Sequence, residues 1–379
     1  MRGPRRLAAV LLLAAPAALA AQEPPPPPPD STPPAALRGQ PLDADAPLTR
    51  GSLRVLVDPR IELMSVVQLL ADYPLVTRHG FAYRQEVARR FEPWRAHHAV
   101  TLFRELGGQG FSFDAVPKLM VALSEPPLLV VQDALPRDVV ARAGGEESVQ
   151  GFVQALREFA FESDFTGFFL ENDSLYGALV ADAAPHAAAA LAALRDYLGS
   201  ELGETLLVLG PLLHDGGFAA LQERRAGLAR AYAFLGPEGV QGGQPDFGSP
   251  ARIGATLWHE LAHTVVNPLT AAHEERVAAT APLLEPVAEA MARQAYRRWE
   301  TVVNETVIRA LTSRILAVEV GEAAGERALA DDEEKGFLYA RPLAERLREF
   351  EAERERFATF AAFYPRLLDA LEEIAAAGG

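Results

Sequence analysis

Two histidines lie four residues apart in the segment GATLWHELAHTVVNP, residues 254–268, and a glutamate directly follows the first. At 3.6 residues per helical turn, His259 and His263 differ by about 40° around the axis, so both imidazoles can meet one ion. Zn²⁺ held by two such nitrogens and a third ligand keeps one position for water and lowers its pKa to about 7. The spacing therefore predicts a zinc hydrolase site with His259 and His263 as ligands. Glu260 is the predicted general base, and then the acid that protonates the leaving amine.

The chemistry requires a helix at this motif. Ser249 and Pro250 provide an N-cap and a proline at the first helical position, so we expect a helix that begins there and stops at Asn267–Pro268. Two other interpretations remain open. In the first, the apolar residues form an ordinary buried stripe and both histidines are solvated. In the second, the zinc is structural and has no open position. The predicted stripe consists of Trp258, Leu261, Ala262, Val265 and Val266.

The third ligand decides the subclass of zinc site. A metzincin would carry glycine and histidine where this chain has Val266 and Leu269, so that subclass is excluded. A downstream helix predicted over 297–317 offers two glutamates, Glu300 and Glu305, and periodicity does not choose between them. Glu305 can alternatively form an ordinary i,i+4 ion pair with Arg309.

Several blocks of the chain resemble a bacterial family catalogued as a domain of unknown function, number 4932, which is regarded as zincin-like. The resemblance extends over nearly all of 52–365. It implies a gluzincin-type arrangement with Glu305 as third ligand and Arg309 orienting its carboxylate. The blocks are VDPRIELMSVVQLLA, FEPWRAHHAV, GFSFDAV, HELAHTVVNPL, VNETVIRA and KGFLYARPLAERL.

A gluzincin-like mechanism also needs a hydrogen-bond donor for the oxyanion that forms during hydrolysis. His214, His273 and Tyr339 lie near the motif helix or the ligand helix in sequence. Their spacing does not select one of them.

The N-terminus indicates export. Residues 1–20 combine arginines, an apolar run and an Ala-Leu-Ala cleavage signature, which together predict a signal peptide. Residues 21–50 are dense in proline and predict a disordered tether. The remainder, 51–379, is expected to fold as one domain with an N-terminal lobe of about 51–200 and a metal-site lobe of about 201–379. We therefore expect a periplasmic or extracellular protein without stable membrane insertion after cleavage.

The apolar patterning predicts an α+β fold that is predominantly α-helical, a zincin-like domain with a small sheet. Strands are expected in SLRVLVD, ETLLVLGPLL and ARAYAFLG, and one long helix is expected from Tyr83 to Leu106. The chain contains no cysteine, so thiolate ligands and disulfides are excluded. A formal charge of −15 disfavours nucleic acid as a partner, because nucleic acid binding requires a basic face.

These features together predict a zinc metallopeptidase with one Zn²⁺ per chain and a peptide or protein substrate. The strand ARAYAFLG, just before the motif helix, is the expected edge to which an extended peptide adds. The alternative function is a non-catalytic, zinc-stabilised binding protein of the cell envelope. An open cleft that reaches the metal site distinguishes the two.

Overall fold

The computed structural model describes residues 51–223 and 229–378. The predicted signal peptide and tether, residues 1–50, lie outside the described residues. Short 3₁₀ turns cover Glu92–Trp94 and Ala281–Val287. The other elements are, in chain order, β1 Leu53–Leu56, α1 Pro59–Leu70, α2 Ala82–Phe91, α3 His98–Gln109, α4 Ala115–Val121, α5 Arg137–Arg142, α6 Glu146–Glu162, α7 Phe165–Glu171, α8 Asp173–Leu198, β2 Glu204–Leu209, β3 Gly217–Glu223, β4 Ala229–Leu235, β5 Gly239–Gln241, β6 Gln244–Asp246, α9 Pro250–Ala272, α10 Glu274–Ala279, α11 Ala288–Arg293, α12 Trp299–Glu319, α13 Glu322–Glu334, α14 Ala340–Ala352 and α15 Phe360–Gly378.

A small mixed sheet has the strand order β1-β2-β4-β3. The strands β1, β2 and β4 run parallel, and β3 pairs with β4 in the antiparallel sense, with Phe218 opposite Phe234. All six residues of β2 are buried, which explains the apolar run of its last four residues, LLVL. The predicted class, α+β and predominantly helical with a small sheet, is confirmed.

Helices cover both faces of this sheet. On one face, α9 packs against β3, β4, α8 and α12, and the indole of Trp258 donates a 2.7 Å hydrogen bond to the carbonyl of Ala190 in α8. On the other face, α4 packs against α1 and β3. One continuous cluster of buried apolar residues runs through these elements. The motif helix is therefore held by the sheet on one side and by two long helices on the other.

The helix α8, Asp173–Leu198, is long and apolar enough to cross a membrane by length and composition. The same properties are typical of a helix in a protein core. It contains Asp182 and Pro185, and its buried residues belong to the common core beside α9 and β1. One face of the helix is therefore buried in the core.

Three expectations from the sequence were wrong. The helix expected from Tyr83 to Leu106 is divided into α2 and α3 by the 3₁₀ turn around Pro93, because a proline lacks the N–H that helix continuation requires. The motif helix continues beyond Pro268 to Ala272, where the hydroxyl of Thr270 bonds to both the carbonyl of Val266 and the hydroxyl of Tyr364. The strand ARAYAFLG, β4, is paired on both sides, so the edge strands of this sheet are β1 and β3.

Candidate metal centre and cleft

The motif lies in the middle of α9. The hydroxyl of Ser249 accepts the backbone N–H of Arg252 at 3.3 Å, which caps the helix where the sequence predicted. Four residues of the predicted stripe are buried, and Val265 is partly buried. The side chains of His259 and His263 are 22% and 21% exposed. Both imidazoles are therefore partly exposed, which is intermediate between the core and free solvation.

The helix α12 brings Glu305 to the two histidines. The Nε2 atoms of His259 and His263 lie 3.7 and 3.5 Å from the two carboxylate oxygens of Glu305. One ligand atom from each residue falls within 4.8 Å of the others, so the group can hold a metal ion. Ligands about 2.05 Å from a tetrahedral zinc lie roughly 3.3 Å apart. The two histidine–glutamate distances are close to that value, and the widest separation within the trio, at most 4.8 Å, must close by up to about 1.5 Å.

Neighbouring groups orient these side chains. The Nδ1 atom of His263 lies 3.3 Å from Oδ1 of Asn267, one turn later, which leaves Nε2 directed at the trio. The guanidinium of Arg309 lies 3.5 Å from Glu305 and donates a 2.6 Å hydrogen bond to Asp332. The ion pair between Glu305 and Arg309 is thus present together with the approach of Glu305 to the histidines.

The contribution of Asp332 could not be read from the sequence, because Asp332 is 23 residues away from Arg309 in the chain. The ring of Phe337 supports the same guanidinium at 4.0 Å. The carboxylate of Glu305 is therefore held by a contact that extends from α12 to α13.

Burial and charge set the protonation of the site. Burial, and then the neighbouring His263, lower the pKa of His259 well below its usual value, so its neutral, cation-binding form predominates. Glu260 is 8% exposed, and burial together with the charge of Glu305 raises its pKa to about 8. A divalent cation at the trio opposes that rise, because it stabilises the carboxylate form.

The edge strand β3 begins beside the Glu260 side chain. A methyl group on Gly217 would lie only 2.9 Å from Oε1 of Glu260, so the backbone of the strand approaches the carboxylate as closely as a glycine allows. The N–H of Gly236 donates to the carbonyl of Gly216, so these two residues form a hydrogen-bonded pair between the two strands. Hydrogen-bonded and non-hydrogen-bonded pairs alternate along an antiparallel ladder. By that alternation, the main-chain groups of Gly217, Ala219 and Leu221 point away from β4, toward the free edge.

A cleft of about 1550 Å³ extends along this edge and reaches the metal centre. His259, Glu260, His263 and Glu305 all contribute to its wall, as do all the residues from Gly217 to Gln222. The wall also includes residues from the 113–142 region, among them Phe113. The open cleft that distinguishes an accessible centre from a closed structural site is present in the described chain.

The alternative ligand Glu300 also lines the cleft, but its carboxylate pairs with Arg298 at 2.5 Å and lies outside the group that can hold a metal. Two of the three predicted oxyanion donors lie away from the cleft. The hydroxyl of Tyr339 donates to the carbonyl of Leu283, and His273 contacts the carbonyl of Leu269.

His214 does line the cleft. Its Nδ1 accepts the N–H of Gly216 at 2.9 Å, and burial lowers its pKa, so the neutral ring carries its proton on Nε2. That Nε2 is enclosed and has no hydrogen-bond partner among the described residues. It is therefore shielded from a substrate in this conformation.

Tyr296 is a cleft residue that the sequence reasoning missed. Burial, and then the charge of Glu305, raise its pKa to about 12, while Arg309 opposes that rise. The preceding Ala295 has a φ of 69°, an uncommon left-handed conformation for alanine, which occurs where other contacts determine the backbone. No local pattern in the sequence indicates that this loop tyrosine faces the metal centre.

No curated protein and no solved structure matches this chain. A family model described as a domain of unknown function, DUF4932, matches residues 96–370. The matched segment includes both motif histidines, Glu260, Glu305, Tyr296 and the edge strand β3. Because the model covers well over half of the chain, this protein belongs to the DUF4932 family.

Proposed function

We propose that this protein is a zinc-dependent peptidase of gluzincin type. In this proposal His259, His263 and Glu305 bind Zn²⁺, and Glu260 is the general base. The observation that carries the proposal is the convergence of this trio and Glu260 on the wall of a cleft that runs along a free strand edge. A structural zinc site would need neither the cleft nor a buried carboxylate beside the ligands.

The donor set of two imidazoles and one carboxylate suits Zn²⁺, which, when bound, supplies the positive charge that acidifies a water and polarises a carbonyl. Glu260 accepts a proton from the attacking water and passes it to the nitrogen of the leaving amine. Burial of Glu260 keeps bulk water from competing for that proton. Asn267, Arg309 and Asp332 hold the ligand side chains in place.

An extended peptide is the substrate shape that fits β3. The outward main-chain groups of Gly217 and Ala219 can pair with a peptide backbone by β-augmentation. Because Gly217 lies beside Glu260, a carbonyl group of a peptide paired with this part of β3 lies close to Glu260. The substrate is therefore a peptide, or an unfolded segment of a protein.

We assign the oxyanion donor to Tyr296. Its raised pKa keeps the hydroxyl protonated at neutral pH, so the hydroxyl can donate a hydrogen bond to a developing negative charge. His214 is the second candidate, and its enclosed Nε2 makes it the weaker one. Tyr296→Phe is expected to lower kcat by roughly 100-fold with little change in KM. An unchanged kcat would transfer the role to His214.

The site of action is proposed to be the periplasm or the extracellular space, because residues 1–20 have the features of a signal peptide. The competing function remains a non-catalytic, zinc-stabilised binding protein. That function predicts zinc binding without peptide cleavage.

The decisive experiment compares Glu260→Gln, Glu305→Gln and Glu300→Gln in the purified chain, with zinc content and cleavage of a diverse peptide library as the two readouts. Glu260→Gln is expected to retain zinc and to lose at least about 100-fold in turnover, the usual effect of removing a general base. Glu305→Gln is expected to weaken zinc binding itself. Glu300→Gln is the matched control, because Glu300 lines the same cleft outside the trio.

Full peptide cleavage by Glu260→Gln would refute the hydrolytic mechanism. Loss of zinc in Glu300→Gln together with its retention in Glu305→Gln would refute the choice of third ligand. Zinc binding by the unmodified chain without cleavage of any peptide would favour the binding protein.

A further inference from the structure

A small apolar cavity opens off the cleft on the face of the sheet opposite α9. It has a volume of about 20 Å³ and lies between α1 and α4, with Leu213 and Phe218 also in its wall. Leu75, Phe113 and Phe218 line both the cavity and the cleft, so the two spaces adjoin. This volume holds one water-sized or methyl-sized group.

The alternation of β3 relates this cavity to the reacting centre. The α-carbon of Gly217 faces Glu260 on the α9 side, so Phe218 projects to the other side of the sheet, into the cavity wall. Side chains directly opposite each other on paired strands share a face. A substrate residue paired with Phe218 therefore directs its side chain toward the cavity, while its neighbour passes Glu260.

Phe113 lines both the cavity and the cleft, and it is 52% exposed. Its φ is 53°, a conformation that is a clear outlier for a bulky residue. The hydroxyl of Tyr73 accepts its N–H at 3.0 Å, and Arg142 bonds to the residues on both sides, Ser112 and Asp114. An exposed aromatic ring in a costly conformation is thus held in place by several contacts, which is typical of a functional position.

The wall of the cavity includes three residues with polar groups, Ser65, Gln68 and Tyr73. Ser65 is 1% exposed, and its hydroxyl has no hydrogen-bond partner within the described chain. A buried hydroxyl without a partner is destabilising unless a ligand or water completes it. The other walls include Met64 and Met120, both buried.

We propose that this cavity is a specificity subsite that accepts a small substrate side chain, alanine or serine, at the position next to the cleaved bond. The proposal rests on the peptidase function proposed above. The size of the cavity excludes larger side chains, Phe113 covers the bound side chain where the cavity adjoins the cleft, and the Ser65 hydroxyl can pair with a serine hydroxyl.

The test uses the purified chain loaded with Zn²⁺ and a peptide series in which each position around the cleaved bond is varied among alanine, serine, leucine and phenylalanine. In the unmodified protein, one adjacent position is expected to prefer alanine or serine over leucine by at least about 10-fold in kcat/KM. Met120→Ala enlarges the cavity and is expected to abolish that preference at that position alone.

Met291→Ala is the matched control, because Met291 is an equally buried methionine in α11, outside the cavity. Phe113→Ala opens the cavity toward the cleft without removing a fully buried side chain, and it decides the matter if Met120→Ala does not fold. Phe113→Ala is expected to weaken the preference for alanine or serine at the same substrate position.

Cleavage with an unchanged preference in the folded variants would overturn the subsite while leaving the peptidase function intact. An equal loss of the preference in Met291→Ala would also overturn the subsite, because the effect would then come from loosened packing of the core. Absence of any peptide cleavage by the unmodified protein would overturn both proposals.

Discussion

A single methyl group at Gly217 tests how closely the edge strand must approach Glu260, the proposed general base. In Gly217→Ala the new Cβ would lie 2.9 Å from Oε1 of Glu260, 3.0 Å from the carbonyl oxygen of Phe234 and 3.0 Å from Cγ2 of Thr256. Ordinary contacts of this kind begin at about 3.4 Å, so the strand or the carboxylate must move by roughly 0.5 Å. A 1 Å misplacement of reacting groups costs on the order of 100-fold in rate, so roughly 10-fold is expected here.

The assay measures kcat, KM, zinc content and thermal unfolding. Gly239→Ala is the matched control, because Gly239 is also a strand glycine and a Cβ there meets nothing within 4 Å. We expect Gly217→Ala to lower kcat while zinc content stays at the level of the unmodified protein. An unchanged kcat would refute the close approach of β3 to the base. Loss of zinc would show that Gly217 acts through the fold of the site.

Three further outcomes are expected. Elemental analysis should find about one zinc per chain, and His259→Ala or His263→Ala should abolish tight binding; unchanged zinc in both variants contradicts the ligand assignment. Asp332→Asn, which weakens the support of Arg309, should reduce zinc affinity by about 10- to 100-fold in a chelator competition; an unchanged affinity means that Arg309 needs no such support. Burial raises the pKa of Glu62 to about 8 from an ordinary 4.5, so the folded state retains a proton that the unfolded state loses, and stability falls as pH rises between these values. In Glu62→Gln, the free energy of unfolding measured in urea should fall less steeply between pH 5 and pH 8, by about 1.4 kcal/mol per pH unit. Equal pH dependence of the free energy of unfolding in the variant and the unmodified protein would contradict the buried, protonated carboxyl.

The features that the sequence predicted are those that one helix encodes by itself. The N-cap at Ser249 and the four-residue spacing of His259 and His263 follow from helix geometry alone, and both occur where they were expected. The end of that helix was mispredicted because its last turn is stabilised from outside, by the hydrogen bond between Thr270 and Tyr364, 94 residues later in the chain. Local propensity at Pro268 has less influence than this tertiary contact.

The edge strand was missed for a different reason. The segment GFAALQE of β3 has two alanines and no β-branched residue, so its intrinsic preference for a strand is weak. Its conformation comes from pairing with β4, and its position at the edge comes from the crossover order of the sheet. Neither property is visible in a window of seven residues.

The same distinction separates the candidate metal ligands from the surfaces that are proposed to recognise a substrate. The two histidines come from one helix and the third group of the trio from a second helix packed against it, so a short pattern and one family resemblance were enough to predict this group of residues. The surfaces that would recognise a peptide come from segments distant in sequence, including Phe113, Phe218 and Tyr296. Substitutions at these three positions change the cleft without replacing a member of the trio. Within a family that keeps the metal centre, we therefore expect substrate preference to vary through the 113–142 region and β3, and the donor set to remain constant.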